Sequence, residues 1–251
     1  RSISFENPTG APGEGGKASS NLGVGRKGAP AKQIQPGETV QLCEKYDFRI
    51  FQWMRRQPRS GQSQLFRLGN EYFHNVNNQA LRTGILQTLL SYCNETQFQD
   101  GFREGGDWYH WNGLRYFLYE YEQHLAERAE KPVKMPWEVL VRSRREDTIE
   151  HILPQTPTDE YWIKRFTPEA QERWTHDYGN LTITYDHNPM KNKPFRKGQA
   201  PHDDKVGYYA DSNIFQEQAL KLFPEWTVAS IRQRREEIKS WAFERWKIGT
   251  N

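Results

Sequence analysis

The stretch TIEHILPQ, residues 148–155, sets a carboxylate beside an imidazole at the end of a β-branched run, just before a proline. Thr148, Ile149 and Ile152 favour an extended backbone, so DTIEHILP (147–154) reads as a strand. Successive side chains of a regular strand point to opposite faces. Glu150 and His151 therefore meet at one point only if the strand end bends. Pro154, which has no N–H to give a ladder, fits such a departure.

Working outward, PTDEYWIKRF (157–166) and TPEAQERWTHD (167–177) read as short helices. Thr167 followed by Pro168 is a good helix start, because proline suits the first helical position. YGNLTITY (178–185) reads as a second strand entered through Gly179. NPMKNKPFRKGQ (188–199) reads as a helix broken near Pro194.

The flanks are helical. YDFRIFQWMRR (46–56) and QLFRLGNEYFHNV (64–76) carry aromatic and aliphatic residues at helical spacing. Leu81, Ile85 and Leu89 recur every fourth residue, and Leu114, Phe117, Leu118, Tyr121 and Leu125 form one stripe, ended by KPVKMP (131–136). Near the end, Thr227 is a plausible N-cap for TVASIRQRREEIKSWAFERW (227–246), with Val228, Ile231, Ile238 and Ala242 in register. Its Arg232, Arg234 and Arg235 face either a phosphate backbone or solvent alone. No internal repeat is present.

The first 40 or so residues differ, being crowded with Gly, Pro and Ser, a composition that buries too little apolar surface to order itself. This leader (1–43) is expected to be flexible, with a short strand at TVQL (39–42). The chain begins at Arg1 rather than Met, from which missing upstream sequence is expected.

Across 251 residues apolar types make up only 35% while aromatics reach 14%, so the core is expected to be built from Trp, Tyr and Phe. A net charge of +3 permits nucleic-acid binding without demanding it, and any phosphate-binding surface must come from local clustering. Cys43 and Cys93 make neither a disulfide framework nor a zinc site, and a cytoplasmic location is the simplest reading. No stretch approaches a membrane span and no signal peptide is visible.

Two strands and a helix bearing His151, Asn180 and Asn188 resemble the HNH, or ββα-metal, nuclease layout. The order IEHILPQ, YGNLTIT, Asn188, NKPFRK is similar to the C-terminal nuclease domain of GmrSD-type modification-dependent restriction enzymes. The likeness covers about residues 44–248 and includes the flanking helices. Separately, ENPTGAPGEGGKA, GRKGAP and IQPGET, within residues 3–42, resemble the start of family 172 glycoside hydrolases. That family's catalytic carboxylates and the rest of its β-rich domain are absent.

The expected fold is mainly α with a small ββα-metal (HNH) module, a helical bundle surrounding a two-stranded antiparallel hairpin plus helix. Expected segments are the leader 1–43, a helical subdomain 44–140, the nuclease module 141–200 and a C-terminal helical segment 201–251 packing on the rest. Phosphodiester hydrolysis needs an activated water and a cation against the gathering negative charge. A neutral histidine, with a usual pKa of about 6.5, takes a proton from water near neutral pH.

The resemblance makes His151 the general base and Glu150 a metal ligand. It makes Asn180 the catalytic-site residue that braces the loop and orients the histidine. Asn188 completes the metal shell, with Asp186, His187 or Asn192 as substitutes. Oxygen ligands suit Mg²⁺ or Mn²⁺. Lys193, Arg196, Lys197, Arg232 and Arg235 are the expected phosphate contacts.

The implied partner is double-stranded DNA bearing modified bases or backbone, cut in defence against phage. A separate or missing N-terminal domain or chain that uses nucleotide and senses the modification completes the picture. The competing expectations are a catalytically inactive, nuclease-like DNA-binding module and a carbohydrate-processing fragment.

Overall fold

The stripe on LRYFLYEYEQHLAER folds as a helix, Leu114–Arg128, that buries Leu114, Phe117, Leu118 and Tyr121. The computed structural model describes residues 36–185, 190–198 and 202–249. All of them lie in one compact unit, Ile34–Asn251.

In chain order the elements are α1 (Pro36–Asp47), a π-helical turn (Phe48–Trp53), α2 (Gln62–His74), α3 (Asn78–Tyr92), α4 (Glu95–Asp100) and α5 (Leu114–Arg128). Then come α6 (Trp137–Arg142), α7 (Arg145–Thr148), β1 (Ile149–His151), α8 (Glu160–Ile163) and α9 (Pro168–Trp174). A 3-10 turn (Tyr178–Asn180) leads into β2 (Leu181–Ile183), followed by α10 (Lys205–Asp211), α11 (Phe215–Leu220) and α12 (Val228–Trp246). The chain is mainly helical, with one small antiparallel sheet among the described residues.

Local signals explain several boundaries. The Thr167 side chain accepts from Ala170 N–H and Pro168 opens α9, as the sequence predicts. Thr227 and Ser230 form a capping box at the start of α12. TVQL is not a strand. It lies inside α1, so ordered helix begins ahead of the expected 43/44 boundary, and the remainder of the leader, residues 1–35, lies outside the described residues. Residues 190–198 form turns rather than the expected helix, because Pro194 and Gly198 interrupt any helical run. The next described helix after β2 is α10. The segments expected as 44–140, 141–200 and 201–251 share one compact unit.

The core is aromatic. Phe48 stacks on Trp246 with ring centroids 3.8 Å apart, tying the start of the chain's helical part to the end of α12. Trp53, Phe102, Trp108, Phe117 and Tyr178 extend the same cluster, which also takes Ile149, Leu181 and Ile183 from the sheet. A second cluster holds Ile152, Leu153, Trp162, Phe195, Trp226 and Ile231. The chain therefore passes from one core to the other at His151. That change of side ends β1 after three residues and produces the bend anticipated from Glu150, His151 and Pro154.

Candidate active site

Antiparallel pairing sets Ile149 against Ile183, Glu150 against Thr182 and His151 against Leu181. The backbone N–H of Ile152 donates to Asn180 O at 3.0 Å, one step beyond the strand end. From there Asn180 takes over through its side chain. Its Oδ1 accepts from Leu153 N–H at 2.8 Å and from Trp226 Nε1–H at 3.0 Å. Its Nδ2 donates to the carbonyls of Leu153 and Thr175, each at 3.0 Å. A primary amide has two donors and two acceptor sites, and all four are used. Asn180 is wholly buried. It braces the bent loop after His151.

The turn carrying Asn180 is held from beneath by α12. A Cβ at Gly179 would lie 2.6 Å from Ile231 O, so glycine permits this close approach. The buried Arg234 guanidinium donates to the carbonyls of Tyr178, Gly179 and Leu181. Arg235 is 1% exposed, donates to Phe102 O at 2.7 Å and pairs with the buried Asp177 at 3.5 Å. Both arginines are internal clamps. The expected contact of Arg235 with DNA phosphates is corrected by this burial, and Arg234 is likewise turned inward rather than towards either surrounding the sequence left open.

A cleft of about 290 Å³ opens beside β1, and Glu150, His151, Tyr109, Glu146, Pro154 and Asn192 are among its walls. Glu150 and His151 thus border one space, as the bend requires. The roomier hollow of about 440 Å³ between α2 and α3, walled by residues such as Leu68, Tyr72 and Leu81, lies away from His151.

The His151 ring is enclosed. Its Nε2 is 3.1 Å from Nδ1 of His176, and the Tyr109 ring centroid is 4.5 Å from its own. Burial holds the His176 pKa below the usual imidazole value, opposed by Asp107 and assisted by His110. Asp107 in turn pairs with His110 at 2.8 Å.

Glu150 Oε1 accepts from Lys205 Nζ, and the same ammonium donates to His151 O at 2.9 Å. Lys205 is fully buried and Glu150 nearly so. Among the described residues no group of three His, Cys, Asp or Glu side chains is arranged to hold a metal. Asn188, with Asp186 and His187, lies outside the described residues. What the described site offers a cation is carboxylate oxygen at the cleft wall. That suits a hard ion such as Mg²⁺, which keeps several of its waters.

The other expected phosphate contacts are distributed unevenly. Arg232 is about half exposed, 3.5 Å from Glu104 and over the Trp174 ring. Lys197 and Arg196 are exposed, but Arg196 is committed to the carbonyls of Lys221 and Phe223 at the end of α11. Lys193 is half-buried, its ammonium 5.8 Å from the Tyr208 ring centroid. Sequence reasoning missed His176, Tyr109 and Lys205. They lie 25 or more residues from the Glu150–His151 pair, and no local spacing links them to it.

A mainly helical chain whose short antiparallel hairpin delivers a histidine to a cleft is the class that fold and site define. The family model described as GmrSD restriction endonucleases, C-terminal domain, matches residues 93–241. The chain belongs to this family, which makes it a nuclease module of restriction-endonuclease type with DNA as its class of substrate. No match was found among curated proteins. No helix among the described residues is long and apolar enough to cross a membrane.

Proposed function

We propose that the chain is an HNH endonuclease that hydrolyses DNA phosphodiester bonds within a modification-dependent restriction system directed against foreign DNA. The observation that carries this reading is His151 at the wall of a cleft, fixed by strand pairing on one side and by the Asn180-braced loop on the other. His151 takes a proton from a water molecule, whose oxygen attacks the phosphorus. The bond to the 3′ oxygen breaks, leaving a 5′ phosphate and a 3′ hydroxyl after the leaving oxygen is protonated. Glu150 and Asn188 would hold a divalent cation, Mg²⁺ or Mn²⁺, which would supply stabilisation of the negative charge that gathers during hydrolysis. Exposed Lys197 and Arg232, with Lys193, steer the DNA backbone. Choice of target belongs to an N-terminal nucleotide-using part or partner chain.

Purified protein incubated with supercoiled plasmid and Mg²⁺ or Mn²⁺ is expected to give nicked or linear DNA, and none with a chelator present. The Glu150–Lys205 ion pair favours a second reading, a DNA-binding module without hydrolysis, because it engages the carboxylate that the first reading assigns to the cation. Plasmid that shifts in a gel yet stays supercoiled under every cation condition selects that second reading.

A further inference from the structure

The His151–His176 contact has a chemical direction. One imidazole donates and the other accepts across the 3.1 Å between Nε2 of His151 and Nδ1 of His176. If His176 donates, His151 carries its single neutral-state proton on Nδ1, its Nε2 lone pair is occupied, and no basic nitrogen remains for water. If His176 accepts, the His151 proton sits on Nε2 and Nδ1 is the basic atom. Only the second arrangement is compatible with a general base.

We propose that His176 is a positioning residue for His151, accepting the Nε2–H hydrogen bond at its own Nδ1 and thereby fixing the His151 tautomer and ring plane. This rests on the nuclease reading of the cleft. Three further observations support it. The Tyr109 ring lies stacked against His176, centroids 5.5 Å apart and 20° between planes, while also packing on His151, so the two imidazoles are held as a unit. Trp108 N–H donates to His176 O at 3.0 Å, anchoring the backbone that carries the ring. Burial favours neutral His176, the form that has a lone pair on Nδ1.

The test uses the full chain, with His176→Ala and His176→Asn, the latter placing an amide oxygen near the position of Nδ1. Long-range proton–nitrogen NMR of the imidazoles reads the tautomer directly, with or without cleavage. Wild type is expected to show His151 protonated on Nε2, and His176→Ala a mixture of tautomers. In plasmid cleavage, His176→Ala is expected to lower kcat about 10- to 100-fold with KM little changed, the range typical of residues that orient a functional imidazole. His176→Asn should recover most of it. An Nδ1-protonated His151 in wild type, or a tautomer that ignores His176→Ala, overturns the proposal. So does equal loss in the Ala and Asn variants. A wild-type chain that cuts no DNA while showing the expected tautomers overturns the nuclease reading and leaves the hydrogen bond standing.

Discussion

Glu150 and Lys205 form an ion pair with both side chains out of solvent, joining β1 to α10. Removing one partner of such a pair strands the other charge in a low-dielectric interior, which typically costs about 3–5 kcal/mol. Lys205→Met is therefore expected to lower the urea midpoint strongly. Lys205→Met combined with Glu150→Gln should recover part of the loss, since no uncompensated charge remains. A single variant as stable as wild type contradicts the buried pairing.

Asn180→Ala would leave Leu153 N–H, Trp226 Nε1–H and the Leu153 and Thr175 carbonyls without their partner. Orphaned buried groups cost roughly 1–3 kcal/mol each. A fall in stability of at least about 4 kcal/mol is expected, with cleavage lost through displacement of the loop after His151. Asn180→Asp, which keeps the acceptors and loses the donors, should lie between. Equal stability in all three proteins contradicts the bracing role.

Arg235 and Arg232 lie three residues apart on α12 and should behave oppositely. Arg235→Ala removes a buried clamp on Asp177 and Phe102 and should destabilise the fold. Arg232→Ala should leave the melting temperature nearly unchanged and weaken DNA binding, with the salt dependence shallower by about one phosphate contact. Parallel melting and binding measurements check both.

Glu217 is buried, and that burial pushes its pKa up to about 7, against the opposing hydrogen bonds from Ser212 and Thr184. The folded state thus holds this proton more tightly than the unfolded chain. Stability from this group is fully present below the ordinary carboxylate range and is lost as pH rises towards about 7, with little further change above. The total is on the order of 3 kcal/mol, at about 1.4 kcal/mol per unit. Glu217→Gln should flatten this part of the profile and raise stability at pH 8. Denaturation midpoints between about pH 5 and 8 read it.

Much of this was legible in advance, because its signals are local. The stripe on 114–125, the Thr167–Pro168 start and the Thr227 cap each act within a few residues, and each became the expected element. TVQL misled because a β-branched pair says little once Leu42 and Tyr46 pack against α3 and its neighbours. Of the helix expected over 188–199 and broken near Pro194, the described part, 190–198, is turn and loop on both sides of that proline. Glu150 and His151 were visible as a pair, and the bend followed from their alternation. Nothing in the chain order announced that Lys205 would claim Glu150 or that His176 would meet His151. Nor did it show that Arg235 would turn inward, since helical spacing gives a face but not what covers it.

The most direct measurement is single-turnover cleavage of supercoiled plasmid by His151→Ala, beside wild type, with near-UV circular dichroism and DNA affinity matched between them. The expected result is a loss of at least about a hundred-fold, the low end for a general base, with binding retained. Cleavage by His151→Ala at the wild-type rate contradicts the assignment of His151 and the site built around it.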